Sequence, residues 1–525
     1  MYLCEQGDFA SGTSSASTKL IHGGLRYLEN LDFRLVRESL SEREALMRIA
    51  PHLVRPRRFV LPHHSGLRPA WVLRAGLWLY DRIGGRTSLP HASRIDLTRD
   101  PAGLPLKPEY RRGFEYSDCC ADDARLVILN ALDAAERGAS MNPRTSCLSA
   151  QRQNGLWELK VQRARSAEVQ PVRARVLVNA TGPWVNRILQ SALNIEPSHH
   201  VRLDKGSHIV IPRHFAHDRA YLFQNRDKRV VFAIPYQPDF TLIGTTEEDY
   251  AGDPAAAAIS DREIDYLLQS VNAYFREPVS RSSIVWSYSG VRALCEQPRP
   301  SSAGARKLSR EYVLELDAKH GAHLINVYGG KITTYRRLAE TALACIAPFV
   351  PMKPAWTGRA ALPGGDFGPG GVDEFIAVCA EKYPFVEDAN LRRLVAAYGT
   401  RIDAVLGNAR SAAQLGKSFG GGLTETELRY LVAQEWAETA EDVLWRRTKL
   451  GLRMTAVEKA ELAAWLVNAP ASAGCVPHAA VNRLRFPAVR NRRKSLRAWD
   501  IPSTRKTAQR PRCFPRRWFQ ASCPD

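Results

Sequence analysis

The sequence predicts an α/β fold whose parallel sheet is interrupted by an antiparallel, β-rich insertion and followed by a helical region. Three observations carry this. Two apolar runs, Ala174 to Val178 and Leu324 to Tyr328, end in small residues and glycine (Asn179-Ala180-Thr181-Gly182-Pro183 and Gly329-Gly330-Lys331), as parallel strands do where they present backbone to a ligand. Between them, β-branched runs at 206–212, 229–235 and 240–246 are separated by Asp, Gly and Pro turns, the pattern of an antiparallel sheet. After Pro363-Gly364-Gly365-Asp366 the periodicity turns helical through 391–398, 424–440 and 456–465.

Met1 to Glu5 reads as the end of a parallel strand. A dinucleotide fold holds ribose hydroxyls with an acidic residue at the end of its second strand, which makes Glu5 a candidate ribose ligand. The stretch Gly7 to Ser17 is rich in small and hydroxyl residues. It suits close contact with a phosphate-bearing ligand, and equally describes a polar, flexible segment. Phe33, Val36, Leu40, Ala45, Leu46 and Ile49 share a helical face over 32–50, with Asp32 as cap and Pro51 as stop. A second helix, 69–82, puts Trp71, Ala75 and Trp78 on one side among Arg68, Arg74 and Arg82. That is a membrane-surface pattern, or a core face with arginines reaching to water. Residues 122–138 give a third helix with an Asp cap, a stripe of Leu126, Leu129 and Leu132, and a terminal glycine; Leu156 to Val161 is a strand. The turn Gly329-Gly330-Lys331 before a helix at 333–346 offers backbone N–H donors to an anion or cofactor. A domain boundary falls near 352–370, and the region beyond it reads as support rather than chemistry.

The chain has 525 residues, 45% hydrophobic and 24% charged, enough for two or three domains with ordinary cores. No run of about 18 uncharged apolar residues is present and the N-terminus has no basic-then-apolar leader, so a cytoplasmic location is expected. The ten cysteines are scattered without a CxxC pair, which points to free thiols and to no metal site. Of the net charge of +20, +11 lies within 471–525, a Pro-, Ser- and Arg-rich tail without sustained periodicity that is expected to be disordered. Such an arm binds nucleic acid by charge alone; no specific nucleic-acid partner is expected.

The quoted segments, taken in order, closely resemble the aerobic FAD-dependent glycerol-3-phosphate dehydrogenases of bacteria. The matching stretches are Thr13 to Glu29 (TSSASTKLIHGGLRYLE), Arg111 to Leu126 (RRGFEYSDCCADDARL), Val178 to Trp184 (VNATGPW), Lys205 to Pro212 (KGSHIVIP), Val285 to Arg292 (VWSYSGVR), Gly329 to Arg336 (GGKITTYR) and Trp445 to Lys449 (WRRTK), within about residues 2 to 467. The resemblance implies an FAD-binding Rossmann-like domain at 1–50, 121–195 and 291–352, a substrate domain at 51–120 and 196–290, a helical domain at 365–470 and the tail at 471–525. It implies oxidation of sn-glycerol 3-phosphate to dihydroxyacetone phosphate, with electrons passing through FAD to a quinone at the inner face of the cytoplasmic membrane. Homodimerisation remains open, as does a related amine or amino-acid oxidase activity.

Transferred residue by residue, the cofactor falls to Glu5, Thr13, Ser14, Ser15, Ser17, Lys19, Gly23, Gly24, Ala180, Gly182, Gly329, Gly330 and Thr333. Arg26, Tyr27, Arg310 and Lys331 are candidates for the substrate phosphate, where arginine forks and a lysine match a dianion. An alcohol carbon gives up hydride only as its oxygen is deprotonated or stabilised, which singles out His208 as base and Arg292 as the group facing the developing alkoxide. Both are expected to end strand or turn segments. The chain departs from the family pattern in three ways: it lacks the family's opening strand and G-x-G-x-x-G turn, it has Glu247 in place of an aspartate, and its basic tail has no counterpart. From the first departure, weak or absent flavin and poor folding are expected of the chain as written, so that beside the active enzyme stand two alternatives, an inactive remnant or a start placed too far downstream.

Overall fold

The computed structural model describes residues 1–297, 307–309, 312–318 and 321–468. All belong to one compact unit, Met1–His478. Arg310 and the basic tail at 471–525 lie outside the described residues.

Three pieces of sheet carry the candidate site segments. Strand Tyr2–Glu5 pairs in parallel with Ser140–Pro143. Val176–Asn179 pairs in parallel with His323–Tyr328, which is flanked on its other side by antiparallel Val313–Asp317. Among the described residues, eleven strands form a mixed sheet whose main path runs Lys307–Ser309, Trp286–Gln297, Val201–Pro212, Phe240–Gly244, Val230–Tyr236, Ala220–Gln224, Val54–His63, Arg112–Ala121 and Leu20–Ile21. The pairings are antiparallel except where Ala220 and Tyr221 meet Phe59 and Val60. Each strand alternates its side chains, so the large sheet buries both faces. Val210, Leu222, Phe232 and Leu242 fill one core, and Ile209, Tyr221, Phe223, Val231 and Ile243 fill the other. Complete burial of such a side chain contributes roughly 1.5–3 kcal/mol.

Helices Phe33–Ile49, Ala70–Ile83 and Asp123–Glu136 fall where the periodicity expects them, and Asp122 caps the third by accepting the Arg125 N–H. Other boundaries differ for local reasons. The strand expected at 174–178 is two strands on different sheets, Val169–Ala174 in a three-stranded meander and Val176–Asn179 in the parallel piece. The helix expected at 424–440 stops at Glu435, where Trp436 takes a left-handed φ of 56°. The chain then makes a π-helical turn over Asp442–Arg447, with the Thr448 N–H donating to Val443 O. His208 and Arg292 do not end their segments: each lies within a twelve-residue strand, Val201–Pro212 and Trp286–Gln297, because strand pairing continues well past the glycines around them.

Candidate active site

One stretch, Thr13 to Tyr27, meets strand Trp286–Gln297, His208 and the segment Lys331–Thr333. Thr13 Oγ1 donates to Val291 O at 2.7 Å, beside Arg292. Tyr288 Oη donates to Ser17 O at 2.8 Å. Thr18 Oγ1 and His208 Nε2 share a hydrogen bond of 2.9 Å. The His22 N–H donates to Thr333 Oγ1 at 3.3 Å, directly after the Gly329–Lys331 turn. The Lys331 ammonium lies 4.0 Å from the centre of the Tyr27 ring. Residues more than 300 positions apart thus meet along fifteen consecutive ones.

Two neighbouring strands carry His208 and Arg292, the candidates for base and oxyanion partner. Trp286–Gln297 and Val201–Pro212 pair so that His208 faces Tyr288 and Asp204 faces Arg292. The His208 and Tyr288 rings stack at 4.8 Å, and the Arg292 guanidinium meets Asp204 at 2.9 Å. Two glycines make these approaches possible. A side chain at Gly244 would put its Cβ 2.1 Å from His208 Cδ2, and one at Gly290 would fall 2.9 Å from Ala16 Cβ. Burial, with Lys19 and Arg292 adding to it, pushes the His208 imidazole down to about 3, so it is neutral across the physiological range.

The parallel strands bring the remaining small residues together. Asn179 pairs with Asn326, so Ala180–Gly182 and Gly329–Gly330 leave adjacent strand ends on the same side. Ala180 and Gly330 are exposed, and a Cβ at Gly182 would have open space around it for 4 Å. Val178, in the middle of its strand, is 48% exposed. Small residues, bare backbone and an uncovered apolar strand suit a long, flat nucleotide ligand. Glu5 sits on the separate two-stranded piece, where its Oε1 accepts the Gly7 N–H at 2.9 Å, and the Gly7–Gly12 loop leads from it to Thr13.

Some candidates face inward. Lys19 is buried, and its Nζ donates to Asp123 and to Ser15 O at 2.9 Å, fastening the serine-rich segment to helix Asp123–Glu136. Burial alone would raise the Asp123 carboxyl, but Lys19 and Lys449 hold it below its ordinary value. Gly23 is buried, its N–H donating to Tyr80 Oη at 2.8 Å, and Tyr80 in turn donates to Asp118, which also pairs with Arg43. Gly24 takes φ +72° before the short turn Leu25–Asn30, on which Arg26 and Tyr27 are half-buried. Thr18, Asp204, Tyr288 and Tyr80 were not singled out from the sequence. Tyr288 lies within the VWSYSGVR stretch, but only cross-strand register reveals that it stacks on His208.

Residues 1–336 match the family described as FAD dependent oxidoreductase, and residues 355–467 match the C-terminal domain of alpha-glycerophosphate oxidase. The chain belongs to the FAD-dependent oxidoreductases. Within that family it is 49% identical over 470 residues to a glycerol-3-phosphate dehydrogenase of Pseudomonas aeruginosa, covering 89% of this chain and 90% of the relative. A D-erythritol 1-phosphate dehydrogenase of Brucella abortus is 47% identical over 468 residues, covering 89% of this chain and 93% of the relative. Among solved structures, the glycerol-3-phosphate dehydrogenase of Bacillus halodurans complexed with FAD superposes with a TM-score of 0.70 at 25% identity, over 89% of this chain and 85% of that one. This FAD-dependent oxidoreductase therefore has the family's fold, with its helical region at the C-terminal side.

Proposed function

We propose that this oxidoreductase oxidises sn-glycerol 3-phosphate to dihydroxyacetone phosphate and passes the electrons to a membrane quinone. The observation that carries the reading is the Thr13–Tyr27 stretch, which brings His208, Lys331 and the strand of Arg292 together beside the Gly329–Gly330 turn. FAD, when bound, supplies the hydride acceptor. Glu5 would hold its ribose, while Thr13, Ser14, Ser15, Ser17, Gly23, Gly24, Ala180, Gly182, Gly329, Gly330 and Thr333 would line its path. Arg26, Tyr27 and Lys331, with Arg310, bind the phosphate. His208, held neutral by its burial, takes the hydroxyl proton at Nε2, the nitrogen now shared with Thr18. It does so as the hydride leaves and the oxygen becomes that of a strongly acidic protonated carbonyl, and Arg292 stabilises that oxygen as it becomes a ketone. The similarity to the Pseudomonas dehydrogenase supports glycerol 3-phosphate. The similarity to the Brucella enzyme, two percentage points lower, supports a second reading, a polyol phosphate one carbon longer.

Anaerobic addition of glycerol 3-phosphate to the flavin-loaded protein is expected to bleach the flavin absorbance. Faster bleaching by D-erythritol 1-phosphate would select the second reading, and no bleaching by either would overturn both. Contact with the membrane face is part of the proposal. No helix among the described residues is long and apolar enough to cross a membrane. Helix Ala70–Ile83, however, leaves Trp71 74% and Trp78 56% exposed, with the Arg82 guanidinium 4.4 Å over the Trp78 ring. Indole beside arginine suits the interfacial zone of an anionic bilayer.

A further inference from the structure

The helical region beyond residue 365 reaches back to the Glu5–Ser17 segment. Asp8 is buried, and two consecutive arginines of the π-helical turn close on it. Arg447 donates to both carboxylate oxygens at 2.8 Å, and Arg446 Nε donates at 2.6 Å. Consecutive residues of an α-helix point about 100° apart; the wider turn at Asp442–Arg447 aims both at one carboxylate. Arg447 also donates to Glu435 O, at 3.1 Å from Nε and 2.7 Å from Nη2, so its fork is fixed at both ends. Arg446 continues to Asp442 at 2.5 Å, and Asp442 accepts from Arg144, also at 2.5 Å.

This network ends on the candidate ribose ligand. The Arg144 N–H donates to Gly7 O at 2.7 Å, while the Gly7 N–H donates to Glu5 Oε1 at 2.9 Å. The peptide units on either side of Gly7 are therefore held between the arginine network and the Glu5 carboxylate. A buried ion network adds little net stability compared with apolar packing, but it fixes geometry, because each partner is expensive to leave unpaired. Here the geometry fixed is that of Glu5 and the loop leading to Thr13.

We propose that Arg446 and Arg447, through Asp8, are positioning residues for FAD, so that the helical region forms part of the cofactor site. The proposal rests on the assignment of Glu5–Ser17 to the cofactor, and not on which polyol phosphate is oxidised. Arg447→Lys, which keeps the charge and loses the fork, and Asp8→Asn are compared with the unaltered protein by flavin fluorescence titration. FAD affinity should fall by about tenfold or more, while KM for the substrate at saturating FAD stays within about twofold. A lowered melting temperature with unchanged FAD affinity would reduce the network to scaffolding and overturn the proposal. Glu5→Gln is the control for the underlying assignment: undiminished FAD affinity there removes Glu5 from the site, and the proposal with it.

Hydrogen exchange on the unaltered protein gives the same answer if the variants fail to fold. Coupling between two sites is reciprocal, so adding FAD should slow exchange of the 442–449 amides. Unchanged exchange there would overturn the proposal.

Discussion

At position 292 one guanidinium meets two demands. Its cross-strand partner Asp204 at 2.9 Å pre-orients it and removes part of its charge, so what remains is a directional donor more than a bare cation. Lys331, over the Tyr27 ring, is a point charge on a flexible stem. Their losses should therefore differ. Arg292→Ala is expected to lower kcat and raise KM together, and Lys331→Ala to raise KM chiefly. Each should lower kcat/KM by about ten- to a hundredfold, the scale of one charge-assisted hydrogen bond. Steady-state kinetics on the flavin-loaded protein would check this, and wild-type constants in both variants would remove the two residues from the site. The residues proposed for this chemistry each lie in a distinctive stretch of the sequence. Their partners could not be read there: the Asp204, Tyr288 and Gly244 contacts depend on the register between strands 30 to 90 residues apart, which no local pattern encodes.

Helix Ala70–Ile83 shows the same division at the scale of an element. Its span could be read from periodicity, and so could the sidedness of Trp71 and Trp78. Its inner face could not, since Tyr80 reaches Gly23 and Asp118, far away in sequence. The outer face is free to change without touching that contact. Replacing both Trp71 and Trp78 by Ser should weaken co-sedimentation with anionic vesicles by about tenfold or more, since each indole buries a large apolar area at an interface. Unchanged vesicle binding by the folded double variant would place the anchor elsewhere. The helical region was legible as helices, but the left-handed residue at Trp436 and the π turn after it were not. A π turn depends on what its residues must reach, and Asp8 lies more than 430 positions away.

For the whole molecule, the buried histidines set an acid limit. His52 is 1% exposed, packs against Phe367, and has no hydrogen-bond partner at either ring nitrogen among the described residues. Burial, with Arg125 and Arg55 adding to it, pushes it down to about 3. The unfolded chain takes up a proton below about pH 6.5, and the folded chain does not until near 3. The stability linked to this group is therefore intact above pH 6.5 and lost progressively as pH falls toward 3, amounting to about 2 kcal/mol between pH 7 and 5. His52→Leu should flatten that part of the stability curve, raising the melting temperature at pH 5 relative to the parent more than at pH 8. Thermal melts across this range would show it, and parallel curves for the two proteins would acquit His52.

The contacts that span the molecule also carry a schedule. Asp8 and Lys19 leave the ribosome long before the strand 286–297 and the turn 442–447 exist. At roughly 5–20 residues per second, the wait for Arg447 is on the order of 20 to 90 seconds. Throughout that interval the nascent chain carries an aspartate whose arginine partners of the π turn have not been made. The Glu5–Ser17 segment thus emerges well before the helical region that completes the contacts of Asp8. Its last contacts must wait until the turn at 442–447 has been translated.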